Sequence, residues 1–191
     1  MIIGKEGLLQ EILKIQKQEG KVLLAIDGRC AAGKTTLATQ LQKELNCNVI
    51  PVDHFFLRPE QRTEERLSEP GGNVDYERFL EEVLEPVRRE KNISYRPFDC
   101  HTMTLKDAVN VATEETPITI IEGSYSCHPR FWNYYNMHLF MTTDSETQMQ
   151  RIRMRNGEQS AVVFREKWIP LEEKYFSECH IEEKCEFVMH T

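Results

Sequence analysis

Long apolar runs are missing from this sequence, and with them any segment able to cross a bilayer as a helix. An excess of basic residues is missing too: 24 Lys and Arg stand against 31 Asp and Glu, a formal net charge of −7. A protein that grips nucleic acid through its phosphates usually shows the opposite balance, so no nucleic-acid partner is expected. A small anionic ligand held by a local group of arginines stays compatible with that charge. The six cysteines (Cys30, Cys47, Cys100, Cys127, Cys179 and Cys185) contain no C-x-x-C pair. That speaks against a zinc site and for free thiols in a reducing cytoplasm. Histidines His54, His128, His138, His180 and His190 show no metal-ligand spacing and read as structural. Internal repeats, low-complexity tracts and linkers are absent, and 191 residues suffice for one domain, 1–191, with a sizeable core. Charged residues interrupt positions 1–6, so no signal peptide is expected. Oligomeric state, a homo-oligomer included, is left open.

What is present is an alternation of strand and helix patterns. Leu8, Leu9, Ile12, Leu13 and Ile15 predict an amphipathic helix ending near Gly20. Apolar runs at 22–27, 48–52, 117–123, 137–141 and 185–189 predict strands, and 34–45, 76–89, 145–155 and 165–176 carry helical spacing. Pro97 keeps 93–99 off a central strand, so this stretch and 104–111 suggest a small hairpin. Segment 57–75 is polar and long for a plain connection, hence functional or disordered. The alternation implies an α/β fold with a mostly parallel sheet.

One stretch organises the rest. Gly28-Arg29-Cys30-Ala31-Ala32-Gly33-Lys34-Thr35-Thr36 fits G-x-x-x-x-G-K-[ST], between an apolar strand and a helix marked by Leu37, Leu41 and Leu45. Backbone N–H groups of such a loop, with the positive end of the following helix, can hold a di- or triphosphate. These nine residues are therefore the expected ATP site. Lys34 would reach the β- and γ-phosphates, solvent-facing before they arrive, and Thr35 would hold Mg²⁺.

Ligands in such sheets lie at the carboxyl ends of the strands. Asp53 follows the strand at 48–52, and is a candidate general base for a hydroxyl acceptor or a partner of the metal. A turn-capping Asp is the plainer alternative. Glu122 ends a continuous apolar strand, where a second metal-shell acid would stand. Arg151 and Arg155 lie one helical turn apart and could reach the phosphates, or could be a solvated helix face. His101 could bind substrate or be a loop histidine.

These residues resemble the uridine kinase and phosphoribulokinase branch of P-loop kinases, over about 21–189. Asp53-His54-Phe55-Phe56 is similar to the family's Asp-Ser-Phe-Tyr, whose Asp serves as base for a nucleoside hydroxyl. Asn73-Val74-Asp75 resembles its Asn-Phe-Asp, which implies that Asp75 binds ribose hydroxyls. Phe98-Asp99 with His101 resembles its Tyr-Asp and nearby His, implying a base pocket at Phe98 and His101. Glu122-Gly123, Thr143-Asp144 and the Arg151 to Asn156 lid start also match. The resemblance implies a three-layer P-loop fold with about five strands and a lid over 151–165. Arg155 would contact the transition state and Arg151 the ATP. It further implies an ATP- and Mg²⁺-dependent kinase for a small hydroxyl acceptor, nucleoside or related. Phe56 and Phe98 stand where the family carries tyrosines, Ile152 replaces a lid arginine, and Glu158-Gln159-Ser160 replaces the later Arg-Gly-Arg. A regulatory ATPase without an acceptor, or a relative that binds metabolites without turnover, are the alternatives.

Overall fold

The computed structural model describes residues 1–89, 91–113 and 115–191. Helix Lys5–Glu19 (α1) buries Leu8 and Ile12, one turn apart, and ends at Gly20 in the left-handed conformation that glycine adopts without strain. Strand Val22–Gly28 (β1), helix Lys34–Leu45 (α2) and strand Asn48–Pro51 (β2) follow. Segment 57–75 is ordered: it holds a tight turn at Pro59–Gln61 and a short helix, Glu64–Ser68 (α3), whose first turn is capped by Thr63. Helices Tyr76–Phe79 (α4) and Glu85–Arg88 (α5) run together through a π turn at Leu80–Leu84, matching the expected 76–89 helix.

Strands Ile93–Tyr95 (β3), Phe98–Asp99 (β4), Thr104–Leu105 (β5) and Val109–Val111 (β6) make two small antiparallel pairs, β3 with β6 and β4 with β5. Strands Ile118–Glu122 (β7) and Met137–Thr142 (β8) complete the middle of the chain. Between them a single 3-10 turn lies at Trp132–Tyr134. Helix Ser145–Val163 (α6) is longer than the 145–155 pattern and breaks at Gly157, which has φ 81°. A π turn at Phe164–Trp168 leads into helices Ile169–Cys179 (α7) and Ile181–Lys184 (α8), then strand Phe187–His190 (β9). The expected lid is thus helical on both sides of its glycine, because Ala161 packs with Ile152 and Cys30 in a small core of its own.

Five parallel strands form the main sheet in the order β2-β7-β1-β8-β9. Both faces are covered. Leu24, Ile26, Ile120 and Leu139 pack under α1 and α2, against Leu8, Ile12, Leu37 and Leu41. Ala25, Ile121 and Phe140 pack on the opposite face, against Phe55, Phe79, Phe131, Tyr175 and Phe176. Two buried faces explain the unbroken apolar runs where a half-exposed sheet would alternate. Each such side chain contributes about 1.5–3 kcal/mol on burial. Among the described residues no helix is long and apolar enough to cross a membrane.

Candidate active site at the carboxyl rim of the sheet

Strand register decides what meets at the rim. Ile26, Glu122 and Pro51 lie side by side across β1, β7 and β2. The residues that follow, Gly28 at the end of β1 and Asp53 in the 3-10 turn after β2, therefore emerge beside Glu122. A methyl group at Gly123 would come 3.1 Å from Asp53 Oδ1, which shows how closely Asp53 packs against the end of β7. A cavity of about 1250 Å³ opens here, lined by Lys34, Thr35, Asp53, Glu122 and Arg155 among others.

Gly28 is required at the loop's entry, since at φ 131° a side chain would run into the Met141 carbonyl. Gly33, at φ 89°, starts α2 with no side-chain cap. The first N–H groups of that helix are left for an anion, which is the property a phosphate needs. Lys34 is not solvent-facing, contrary to expectation. It is buried, and its Nζ donates to the carbonyls of Gly28 (2.6 Å) and Arg29 (2.9 Å) and to Ser124 Oγ (3.3 Å). An ammonium with three donors in a partly closed loop takes the nearest oxygens. Thr35 Oγ1 donates to both oxygens of Glu122 at 3.2 Å.

Burial, and next the charge of Asp53, pushes the Glu122 carboxyl up to about 7, while Lys34 and Thr35 pull it down. Asp53 is raised as well, chiefly by burial, with Lys34 opposing. Asp53 is exposed and lines the cavity. Asp27 lies directly under the loop. It is fully buried and accepts from the N–H groups of Gly28, Tyr125 and Cys127 and from the Tyr175 hydroxyl, at 2.7–3.0 Å. Burial still raises it to about 6.

Two carboxyls raised in the folded state have a definite linkage. Between their ordinary values near 4 and their folded values, about 6 and about 7, the native chain holds protons that the unfolded chain has released. Stability of the ligand-free protein should therefore fall as pH rises through that window. Glu122→Gln should flatten the trend. It should melt above the parent at pH 8 and level with it near pH 5, as followed by circular dichroism. A parent melting temperature that climbs across this window, unaltered by the substitution, would contradict the assignment.

Helices α6 and α7 are fastened to the loop. Glu172 in α7 accepts from the Cys30 N–H (3.0 Å) and the Ser124 hydroxyl (2.5 Å), and Glu173 pairs with Arg29 (2.5 Å). Gln148 in α6 donates to the Cys30 carbonyl at 3.0 Å. Arg151 donates to the Ala31 carbonyl at 3.2 Å. Cys30, buried and beside Glu172, has its thiol pushed up to about 12, so it is a packing residue without thiolate character. Arg155 is exposed at the cavity, donating to Asn156 and lying 5.9 Å from the Phe164 ring.

The acceptor end differs from the sequence expectation. Asp75, Phe98 and His101 do not line the cavity. Asp75 is buried and caps α4, accepting from Arg78 N (3.2 Å) and Gln61 Nε2 (2.8 Å). Phe98 is buried beneath Arg62, and His101 is exposed on the β4–β5 turn, its N–H bound to Asp99. Phe56, Leu57, Arg62, Leu67, Asn73, Cys100 and Met103 line that end instead. Asp27 and Glu172 were legible only as carboxylates at odd places, one in an apolar strand and one within a helix. Arg62 gave no local signal. Among the described residues no cluster of His, Cys, Asp and Glu suited to a metal stands apart.

No family model matches the chain. A stretch of 120 residues is 36% identical to nicotinamide riboside kinase 1 of Homo sapiens, covering 58% of this chain and 55% of that protein. The Mus musculus protein of the same name is 34% identical over 123 residues, 59% and 57% of the two chains. The chain thus spans little more than half the length of these curated relatives. A possible uridine kinase from Bacillus stearothermophilus superposes with TM-score 0.69 at 17% identity, over 95% of this chain and 98% of that one. A Silicibacter sp. TM1040 protein assigned as a fructose transport system kinase gives 0.74 at 19%, over 97% and 98%. The fold is the P-loop α/β sandwich that these two structures share. In open parallel sheets ligands bind beyond the carboxyl ends of the strands, and the cavity found here lies at that rim of β1, β2 and β7.

Proposed function

We propose that this chain is an ATP-dependent kinase that phosphorylates a hydroxyl group of a small, nucleoside-like acceptor, in the cytoplasm. The observation that carries the reading is the gathering of Lys34, the Thr35–Glu122 pair and Asp53 on one cavity wall beside an uncapped helix start. A nucleotide-operated switch has no use for a raised carboxylate aimed into an acceptor-sized space.

Residues 28–36 would hold the phosphates of ATP, with Arg151 bracing the loop through the Ala31 carbonyl. Thr35, Glu122 and Asp53 supply the hard oxygen ligands that Mg²⁺ prefers, and their arrangement fits such an ion. Bound there, Mg²⁺ would neutralise phosphate charge. Lys34 would leave its two carbonyl partners for the γ-phosphate, where positive charge stabilises the transition state. Asp53 would take the acceptor proton, and desolvation shifts its carboxyl upward, the direction that makes it a stronger base. The acceptor oxygen bonds to the γ-phosphorus as the bond from that phosphorus to the bridging oxygen breaks, and ADP leaves. Arg155, two residues before the Gly157 break and exposed at the cavity, would approach the transferring group on lid closure.

The test is ADP release from ATP and Mg²⁺ against nucleosides, sugars, vitamins and phosphorylated sugars. Release that needs one acceptor, with a phosphorylated product by mass, is the expected result. Equal hydrolysis without any acceptor would identify a regulatory ATPase instead, and nucleotide binding with no release would identify a relative without turnover.

A further inference from the structure

Four arginines crowd the segment beside the acceptor end. Three have carboxylate partners: Arg58 with Glu60 (3.4 Å), Arg66 with Glu77 (2.8 Å), and Arg78 with Glu82 (3.1 Å) and Asp75 (3.6 Å). Arg62 has none among the described residues. Its Nε donates to the Leu57 carbonyl at 2.9 Å and its guanidinium lies 6.0 Å from the Phe98 ring centre. Those two contacts hold the head group from one side. Its two terminal nitrogens bond to nothing among the described residues, and Arg62 is half-buried in the cavity wall. Cys100 lies near both Arg62 and Asp53: burial raises its thiol, Arg62 pulls it down and Asp53 pushes it up. The free guanidinium and the proposed base therefore face one space, whose other walls include Phe56, Leu57 and Met103.

A guanidinium held through its Nε, with both terminal nitrogens open to the cavity, presents unused donors there, and its planar fork fits a carboxylate or phosphate. We infer that the acceptor carries an anionic group, carboxylate or phosphate, which Arg62 holds while the acceptor hydroxyl lies at Asp53. This rests on the kinase reading above. Arg62 would then be a specificity-determining residue: the anionic group takes no part in phosphoryl transfer but fixes which hydroxyl is offered.

Matched acceptors test this with the full chain, ATP and Mg²⁺. Uridine is compared with orotidine, which adds a ring carboxylate, and ribose with ribose 5-phosphate. In the parent, kcat/KM for the charged member of at least one pair should exceed its neutral partner by about tenfold or more, mostly through KM. The pair that responds tells carboxylate from phosphate. Arg62→Gln should bring the ratio to within about threefold of unity, and Arg62→Lys should restore part of it, which a purely structural role would not produce. A parent preference for the neutral members, or a ratio unmoved by Arg62→Gln, overturns the inference and leaves the kinase reading standing. If no acceptor drives ADP release, the kinase reading fails for these acceptors, and binding decides the anion site. With a non-hydrolysable ATP analogue present, orotidine or ribose 5-phosphate should raise the melting temperature of the parent and not of Arg62→Gln. No rise in the parent overturns the site too.

Discussion

Asp53→Asn should lower kcat by about 10²–10⁴, the usual worth of a positioned general base, and leave ATP affinity within a few-fold of the parent. Asn keeps the shape and the hydrogen-bonding reach but cannot take a proton. The structure adds a second readout. The charge of Asp53 is one of the groups that raise Glu122. Without it, Glu122 should ionise at lower pH, so Mg²⁺-dependent nucleotide binding in the variant should persist to lower pH than in the parent. Isothermal titration at pH 6 and 8 would show this. If ATP affinity collapses while the residual rate is little changed, Asp53 belongs mainly to the metal and the base lies elsewhere.

Lys34→Ala should reduce turnover by on the order of 10²–10³ or more, as expected for losing a preorganised positive donor at the reacting phosphate. It should also cost stability, because Lys34 is buried and holds the Gly28 and Arg29 carbonyls and the Ser124 hydroxyl. Leaving such acceptors unpaired is worth about 1–3 kcal/mol. Urea unfolding in the absence of nucleotide would measure that loss, and kcat on the folded variant would measure the other. A folded variant that turns over like the parent would remove Lys34 from the chemistry. Equal stability to the parent would mean that water replaces Nζ in the empty loop.

The parts of this fold that were legible beforehand are those with local causes. The apolar runs at 22–27, 117–123 and 137–141 announced strands buried on two faces, and β1, β7 and β8 lie there. The last strand begins at Phe187, two residues later than its pattern suggested, because Glu186 turns back to bind His138. Segment 57–75 gave no periodic signal, yet it is ordered, since Arg66 ties it down through Gly72, Val74 and Glu77. The helical pattern from 145 stopped at Arg155, whereas the helix continues past Gly157 because Ala161 finds a buried seat near Ile152.

The sequence by itself determined the phosphate loop. Its requirements are dihedral and local: glycines where φ is positive, a lysine and a threonine at the start of the next helix, and an apolar strand before them. Only the tertiary structure decided which charges are free to act. Register across β2, β7 and β1 brought Asp53 beside Glu122 and raised both. Packing of α4 turned Asp75 from an open carboxylate into a buried cap. The same packing paired Arg66 and Arg78 with acids and left Arg62 facing the cavity. Charge pairing depends on distance through space, falling off over a few ångströms in a medium of low dielectric constant. No spacing along the chain encodes those distances, so a motif can be read before folding but its partners cannot.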